Sequence, residues 1–328
     1  MNEKIKVGII GVGHLGQHHV KHFSRLTGVR LVGIFDTDQG RAQKIAQQYP
    51  TTAFSSLDEL LDSVDAVAVV TPTQTHATVA GKCLEAGKHV FIEKPITKTV
   101  AEADRLITMS GKQGVLLQIG HIERLNPALL PLKDFNLQPK FIEVQRLAPY
   151  TVRGTDVPVV LDLMIHDIDI ILSLVDSPVK NIRASGVSIM TKSVDIANAR
   201  IRFHNGTVAN ITASRIAKDR VRKIKVFQQD MYITIDLSLG LTEVYRILDT
   251  QRKDPQAIFT APLDQDGYQR QIVYEKPAIK KSDALQMELS NFIAAIQGKE
   301  KPIVDGVAGR EALAVATKIQ QMIIDDLV

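Results

Sequence analysis

Only one of the 328 residues is a cysteine, Cys83, so the chain has no internal disulfide framework, and that usage fits a reducing compartment. No stretch approaches the roughly 18 apolar residues of a membrane span, which excludes a membrane-embedded role for any helix. Excess charge is scarce too: 40 Lys and Arg stand against 36 Asp and Glu, for a net charge of +4. That balance suits an anionic small ligand and falls short of the basic footprint of a nucleic-acid binder. Internal repeats, low-complexity tracts and flexible linkers are missing as well. The start, MNEKIKVGIIGVG, places a basic residue before an apolar run, but the run is short, is cut by glycines and meets no small-residue cleavage site. The expectation is a cytoplasmic protein that engages neither membrane nor nucleic acid.

What is present is ordinary globular composition, 45% hydrophobic and 23% charged, in a chain long enough for two cores. Near the start, a β-branched run (KVGII) leads into a turn with Gly11, Gly13 and Gly16 in G-x-G-x-x-G spacing, then into a helical pattern. In that spacing one glycine permits the tight turn, one leaves room for a pyrophosphate, and one lets helix and strand pack closely. The helix N-terminus, which includes His14 and Leu15, then offers free N–H groups to the phosphates. A second run, VRLVGIFD, ends at Asp36, placed to accept hydrogen bonds from the adenosine ribose. Its charge repels a 2′-phosphate and so favours NAD over NADP; Arg41 lies near enough in sequence to weaken that preference. A helix-capping aspartate is the plainer reading of Asp36.

Strand and helix patterns keep alternating: VDAVAVV, then HATVAGKCLEAG closed by Gly87, KHVFIEKP, TVAEADRLITMSGKQG ending near Gly114, and VLLQIG. Alternation of this kind predicts a doubly wound parallel sheet, with ligands beyond the carboxyl ends of the strands. Three polar loops fall there: TPTQTH (Thr71 to His76), EKP (Glu93 to Pro95) and GHIERLNP (Gly120 to Pro127). After about residue 121 the pattern becomes one helix, Val159 to Val175, and then successive strand-like runs with Asn-Gly and Gln-Asp turns. That predicts an open, mostly antiparallel sheet partly covered by helices, with two helical patterns closing the chain. The expected division is a dinucleotide-binding domain over 1–121 and a second α/β domain over 122–328.

Within VVLDLMIHDIDIILSLV, four ionisable groups sit in an apolar run, where an unpartnered charge is costly. Asp162 and His166 are four residues apart and share a helical face, so the carboxylate can orient the imidazole. Unaided, histidine titrates near working pH and suits a general base. A core histidine bonded to Asp162 is the plainer alternative, and a divalent ion held with Asp169 is a third that lacks a completing Cys or His. Asp167 and Asp169 read as solvent-facing or capping charges. His18, His19 and His22 read as a partly exposed helical surface. The basic stretch SRIAKDRVRKIKV admits two readings, a diphosphate-attracting patch or an exposed strand guarded by lysine against edge pairing, and the second is favoured.

The glycine turn, TPTQTH, EKP and the Asp-x-x-x-His helix, in this order along nearly the whole chain, resemble the Gfo/Idh/MocA oxidoreductases. The resemblance implies a Rossmann domain, a C-terminal domain with an open sheet used for dimer or tetramer contacts, and hydride transfer between a nicotinamide and a sugar or polyol hydroxyl carbon. It implies Lys94 as the active-site lysine, with Pro95 often after a cis peptide, and Asp162 and His166 as its acid–base partners. Thr71, Pro72, His76 and Glu93 are implied on the cofactor side, Glu93 as a positioning group. Arg124 and Asn126 are expected to touch substrate together with Lys94, Asp162 and His166. GHIERLNPA and RGTDVPVVLDLMIHDIDI are most similar to members acting on the 3-hydroxyl of UDP-N-acetylglucosamine. Many relatives carry glycines where this chain has Val159, Val160 and Met164, a difference that bears on the shape of the sugar pocket. A dehydrogenase of a free polyol or sugar such as inositol, or a non-catalytic NAD- and sugar-sensing protein, are the alternatives on the same fold.

Overall fold

The computed structural model describes residues 4–151, 157–249, 255–265 and 268–327, so Arg153 to Asp156 of the RGTD segment lie outside the described residues. The chain divides into two compact units, Met1–Ile122 with Asp283–Ala314, and Glu123–Ser282 with Val315–Val328.

The first unit runs β1 (Ile5–Ile10), α1 (His14–Phe23), β2 (Val29–Phe35), α2 (Gln39–Ala46), β3 (Thr52–Ala53), α3 (Leu57–Ser63), β4 (Ala66–Val69), α4 (Thr73–Glu85), β5 (His89–Glu93), α5 (Val100–Gln113) and β6 (Leu117–Gly120). The strands form one six-stranded parallel sheet in the order β3-β2-β1-β4-β5-β6. β4 is buried at all four positions and apolar throughout, as a strand covered on both faces must be. Helix ends follow local chemistry. Thr99 and Glu102 form a reciprocal capping box on α5, and Gly114 ends that helix in the left-handed region at φ 65°. The sheet order reverses between β1 and β4, which opens the crevice where such folds take ligands.

The second unit contains β7 (Phe141–Leu147), a π-helical turn over Val160–Met164, α6 (Ile165–Leu174), β8 (Val179–Val187), β9 (Ile196–Phe203), β10 (Val208–Ser214), β11 (Val221–Gln228), β12 (Met231–Asp236), β13 (Leu241–Asp249), β14 (Phe259–Gln265) and β15 (Tyr268–Glu275). These strands build a nine-stranded sheet that is antiparallel except where β7 runs parallel to β10. On one face lie Ile142, Val144, Ala209, Ile211, Ile224, Val226 and Ile233, all buried. Two helices close the chain, α7 (Ala284–Ile296) and α8 (Gly306–Leu327). The sequence reading assigned everything after residue 121 to the second domain. α7 belongs instead to the first unit, because Leu285, Leu289, Phe292 and Ile293 complete its core beside Val20, Phe23 and Phe91.

Three expectations are corrected here. Asp167 and Asp169 are not solvent-facing: each is 1% exposed and held by a guanidinium. His19 is not part of an exposed surface, being fully buried. β11, which carries much of the basic stretch, is not a guarded edge; it lies inside the sheet between β7 and β12. Its cations are paired: Arg222 with Glu123 in the segment after β6 at 3.0 Å, and Lys225 with Glu143 on the neighbouring β7 at 3.3 Å. The expected single helix over Val159–Val175 also begins with a π turn, a feature often found at functional sites.

Arg146 reaches from β7 to Asp167 on α6 through two bonds of 2.7 and 2.8 Å, with Glu123 at 3.4 Å completing the site. Burial pushes the Asp167 pKa up; it also works against the Arg146 charge, but Asp167 and Glu123 outweigh it there and the guanidinium is held protonated. Arg146→Met strands the Asp167 carboxylate and is expected to cost the second unit about 3–5 kcal/mol. The double change Arg146→Met with Asp167→Leu should recover most of that loss, which urea unfolding of the two variants measures.

Candidate active site

The glycine loop follows β1. Gly11 has φ 89°, and a Cβ there would meet the Val70 carbonyl oxygen at 2.6 Å; one on Gly16 would meet the Gly11 carbonyl oxygen at 2.0 Å. Those two glycines are therefore required by the loop's own packing. Gly13 differs: a Cβ built there finds no protein atom within 4 Å, so its space is open to a ligand. Gly13 also starts α1, whose first turn has no acidic residue and no side-chain cap, leaving its N–H groups and positive dipole end for an anion. His14 and Leu15 form that exposed first turn.

Asp36, just beyond β2, accepts the Val12 N–H at 2.8 Å and the Asp38 N–H at 2.9 Å, and pairs with Arg41 at 3.0 Å. Burial raises its pKa, but the two backbone donors and the guanidinium together outweigh that and hold it below the ordinary carboxylate value. A carboxylate offers about four acceptor positions, and these contacts use three, so one remains for a ribose hydroxyl. Asp36 thus ties the glycine loop to the end of β2. The α2 cap is Asp38, not Asp36. A cavity of about 370 Å³ lies here, lined among others by Gly11, Gly13, Asp36, Arg41 and Thr71. The open Gly13 cradle, the uncapped helix and the poised Asp36 fit a dinucleotide. A larger open cleft of about 560 Å³ in the second unit, lined by Lys133, Asp134, Glu275 and Lys280, holds none of the expected site residues.

Beyond β4 and β5 the loops are cross-braced. His76 on α4 is 1% exposed, with Nδ1 2.9 Å from the Pro95 carbonyl oxygen and Nε2 2.8 Å from that of Thr71. It sits beneath the two loops; Pro72 is exposed and Thr71 half-buried above it. Glu93 at the end of β5 contacts His19 Nε2 at 2.9 Å through Oε1 and accepts the Lys94 N–H at 3.2 Å through Oε2. Gly120 leaves room for this carboxylate, since a Cβ there would come within 3.0 Å of Glu93 Oε2. Lys94 is half-buried and precedes a cis peptide to Pro95.

In the second unit, Asp162 lies in the π turn and His166 in the first turn of α6, both half-buried. Val159, Val160 and Met164 are fully buried, so their bulk fills the core of that unit. Arg124 donates Nε and Nη2 to Asp169, both at 2.7 Å, and so anchors the loop after β6 to α6. Asn126 braces the same loop: its amide donates to the Leu237 carbonyl at 3.1 Å and accepts the Ala128 N–H at 3.1 Å. Lys94 belongs to the first unit, and Asp162, His166, Arg124 and Asn126 to the second. Sequence reasoning missed the tie between His19 and Glu93; the signal was a histidine on the apolar stripe of α1, between Gly16 and Phe23. Among the described residues no group of three or more His, Cys, Asp or Glu side chains is placed to hold a metal ion.

Comparison with known proteins gives a consistent picture. The NAD-binding Rossmann fold of the GFO_IDH_MocA oxidoreductase family matches residues 5–121, and the GFO/IDH/MocA C-terminal domain matches residues 146–234. The UDP-N-acetylglucosamine 3-dehydrogenase of Acidithiobacillus ferrooxidans is 38% identical over 96% of this chain and 96% of its own. A solved structure of UDP-N-acetylglucosamine 3-dehydrogenase from that organism has a TM-score of 0.89 at 36% identity, covering 99% of each chain. The myo-inositol 2-dehydrogenase of Thermotoga maritima is 26% identical over 94% of this chain and 93% of its own.

The glycines separate ligand from fold. Gly13→Ala is expected to leave the melting temperature within about 2 °C and weaken dinucleotide binding at least tenfold, since only a ligand occupies its space. Gly16→Ala should lower stability itself by about 1–3 kcal/mol, through the clash with Gly11. Thermal melts alongside NADH titrations distinguish the two.

Proposed function

This chain belongs to the Gfo/Idh/MocA oxidoreductase family, and from that premise we propose that it oxidises the 3-hydroxyl of a UDP-N-acetylamino sugar with NAD as hydride acceptor. The observation that carries the substrate assignment is the similarity to UDP-N-acetylglucosamine 3-dehydrogenase, 38% identity along 96% of both chains, against 26% for the inositol relative.

Oxidising a secondary alcohol removes a hydride from carbon and a proton from oxygen. When bound, the nicotinamide supplies the hydride acceptor. The proton is left to the chain's own groups. His166 takes it as general base, Asp162 orients the imidazole and stabilises its charged form, and Lys94 donates to the substrate oxygen. The half-exposure of all three supports these roles, because each is open to a ligand rather than sealed in a core. Asp36 supports NAD over NADP: it lines the cavity beside the glycine loop, where its charge suits a ribose diol and repels a 2′-phosphate.

The assembly is a homodimer or homotetramer closed through the open sheet. Phe141, Phe227, Tyr232, Tyr245, Tyr274 and Phe259 are direct cross-strand partners in one row over six strands. Phe227 and Tyr232 stack at 4.6 Å, and Phe259 is 59% exposed, an apolar band of the kind that subunits cover. The scarcity of cysteine, a single buried Cys83, supports a cytoplasmic location.

Absorbance at the NADH band tests the function, with NAD and a panel of UDP-N-acetylglucosamine, UDP-glucose, myo-inositol and glucose. A rise with the UDP-amino sugar is expected; a rise with myo-inositol alone moves the substrate to a free polyol. NADH binding with no turnover on any of them favours a sensor. Lys94→Met and His166→Asn should each lower kcat by about 10²–10⁴-fold and retain NADH affinity. Asp36→Ala frees Arg41 for a 2′-phosphate and should shift the ratio of kcat/KM for NAD over NADP toward NADP by at least tenfold, read from paired cofactor titrations.

A further inference from the structure

The EKP loop is held from both sides by imidazoles that the reaction itself does not use. On one side, Glu93 meets His19 Nε2 at 2.9 Å. An ionised carboxylate only accepts, so Nε2 carries the hydrogen. His19 is fully buried on α1, its ring 5.5 Å from that of Phe91, and its Nδ1 has no hydrogen-bond partner among the described residues. An unpaired buried lone pair costs less than an unpaired buried N–H, so the contacts favour a hydrogen on Nε2, toward Glu93. The other Glu93 oxygen accepts the backbone N–H of Lys94 at 3.2 Å, so the carboxylate passes the position of α1 directly to the lysine's main chain.

On the other side, the Pro95 carbonyl oxygen faces His76 Nδ1 at 2.9 Å, and the Thr71 carbonyl oxygen faces Nε2 of the same ring at 2.8 Å. Carbonyls only accept, so an imidazole with one N–H bonds one of them and turns a lone pair to the other; both bonds form together only on the protonated ring. Burial pulls the His76 pKa below the ordinary histidine value, opposed by the two carbonyls and by the Glu93 charge. The helices that supply the two rings are the ones beside the cofactor cradle: α1 begins at the glycine loop, and α4 begins just past Thr71 and Pro72.

We propose that His19 and His76 are positioning residues that clamp Lys94 through its two sequence neighbours and fix the EKP loop against the glycine loop and the Thr71 loop. Neither touches substrate. The proposal rests on the catalytic role assigned to Lys94. The clamp sets where the lysine backbone stands, and misplacement of a reacting group by about 1 Å costs on the order of 10²-fold in rate.

Substituents that keep one nitrogen position and remove the other test it. Glutamine places its amide near the Nε2 position and asparagine near Nδ1. His19→Gln keeps a donor for Glu93 and should hold kcat within about threefold, whereas His19→Asn is too short and should lose about 10–100-fold in kcat. His76→Asn keeps the Pro95 bond, and His76→Gln keeps the Thr71 bond; the glutamine variant should show the larger loss in kcat. Dissociation constants for NADH should stay within about threefold for both His19 variants. They are read from the emission of NADH itself, in a protein with no tryptophan to compete. Lys94→Met, assayed beside them with NAD and UDP-N-acetylglucosamine, separates the two claims. Full activity in Lys94→Met overturns the catalytic reading. A dead Lys94→Met with equal kcat in His19→Asn and His19→Gln overturns the clamp. Deuterium exchange over residues 93–97 tests the clamp without turnover. Uptake should rise in His19→Asn and fall back in His19→Gln, and equal uptake in the two also overturns it.

Discussion

An ionised carboxylate removed from water must be met by donors, or the fold bears a cost of several kcal/mol, and this chain meets that constraint at four carboxylates around its candidate site. Asp36 is met by two backbone N–H groups and Arg41, Glu93 by His19 and the Lys94 N–H, Asp167 by Arg146, and Asp169 by Arg124. In each case at least one donor comes from a distant part of the chain. The electrostatic requirement therefore does geometric work: satisfying the charge fixes one loop against another. Asp36 locks the glycine loop to the end of β2. Arg124 and Arg146 lock α6 to the loop after β6 and to the sheet.

The sheet architectures supply what these pairs connect. Parallel strands in the first unit end together, so the glycine loop, Thr71 and Glu93 come to one edge although they are far apart in sequence. In the second unit the sheet segregates its faces by the two-residue period of a strand. Arg146 points to the face of Ile142 and Val144, where α6 lies, while Phe141 and its cross-strand partners point to the other. A shift of one residue in β7 would carry Arg146 to the wrong face and leave Asp167 without its partner, so the ion pair and the strand register specify one another.

Legibility in the sequence followed range. The glycine turn, Asp36, the EKP loop and the Asp-x-x-x-His element were readable because each is a local spacing, and the parallel sheet was readable from strand and helix alternation. Turn chemistry was also local: Gly206 and Asp230 both take positive φ, at 90° and 56°, in the Asn-Gly and Gln-Asp turns. Unreadable features depended on distant partners. Asp169 finds Arg124 across 45 positions and Asp167 finds Arg146 across 21, so the apolar run around them could not name the partners that allow their burial. β7 lacked a flanking pattern of its own, and its pairing with β10 is parallel within an otherwise antiparallel sheet. The return of α7 to the first core rests on tertiary packing that its helical periodicity could not direct.

Burial sorts the four ionisable groups of the apolar helix into two kinds. Asp167 and Asp169 are sealed at 1% exposure, and each is held by two hydrogen bonds to one guanidinium. A carboxylate so enclosed and paired holds the helix to the segment that supplies its guanidinium. Asp162 and His166 keep partial exposure on a helix whose Ile165, Ile168, Ile170 and Ile171 are buried. Asp162 lies in the π turn that precedes α6, and His166 in the first turn of α6 itself. The two buried aspartates hold the helix through their guanidinium partners, and the two half-buried groups are the ones that keep exposed surface.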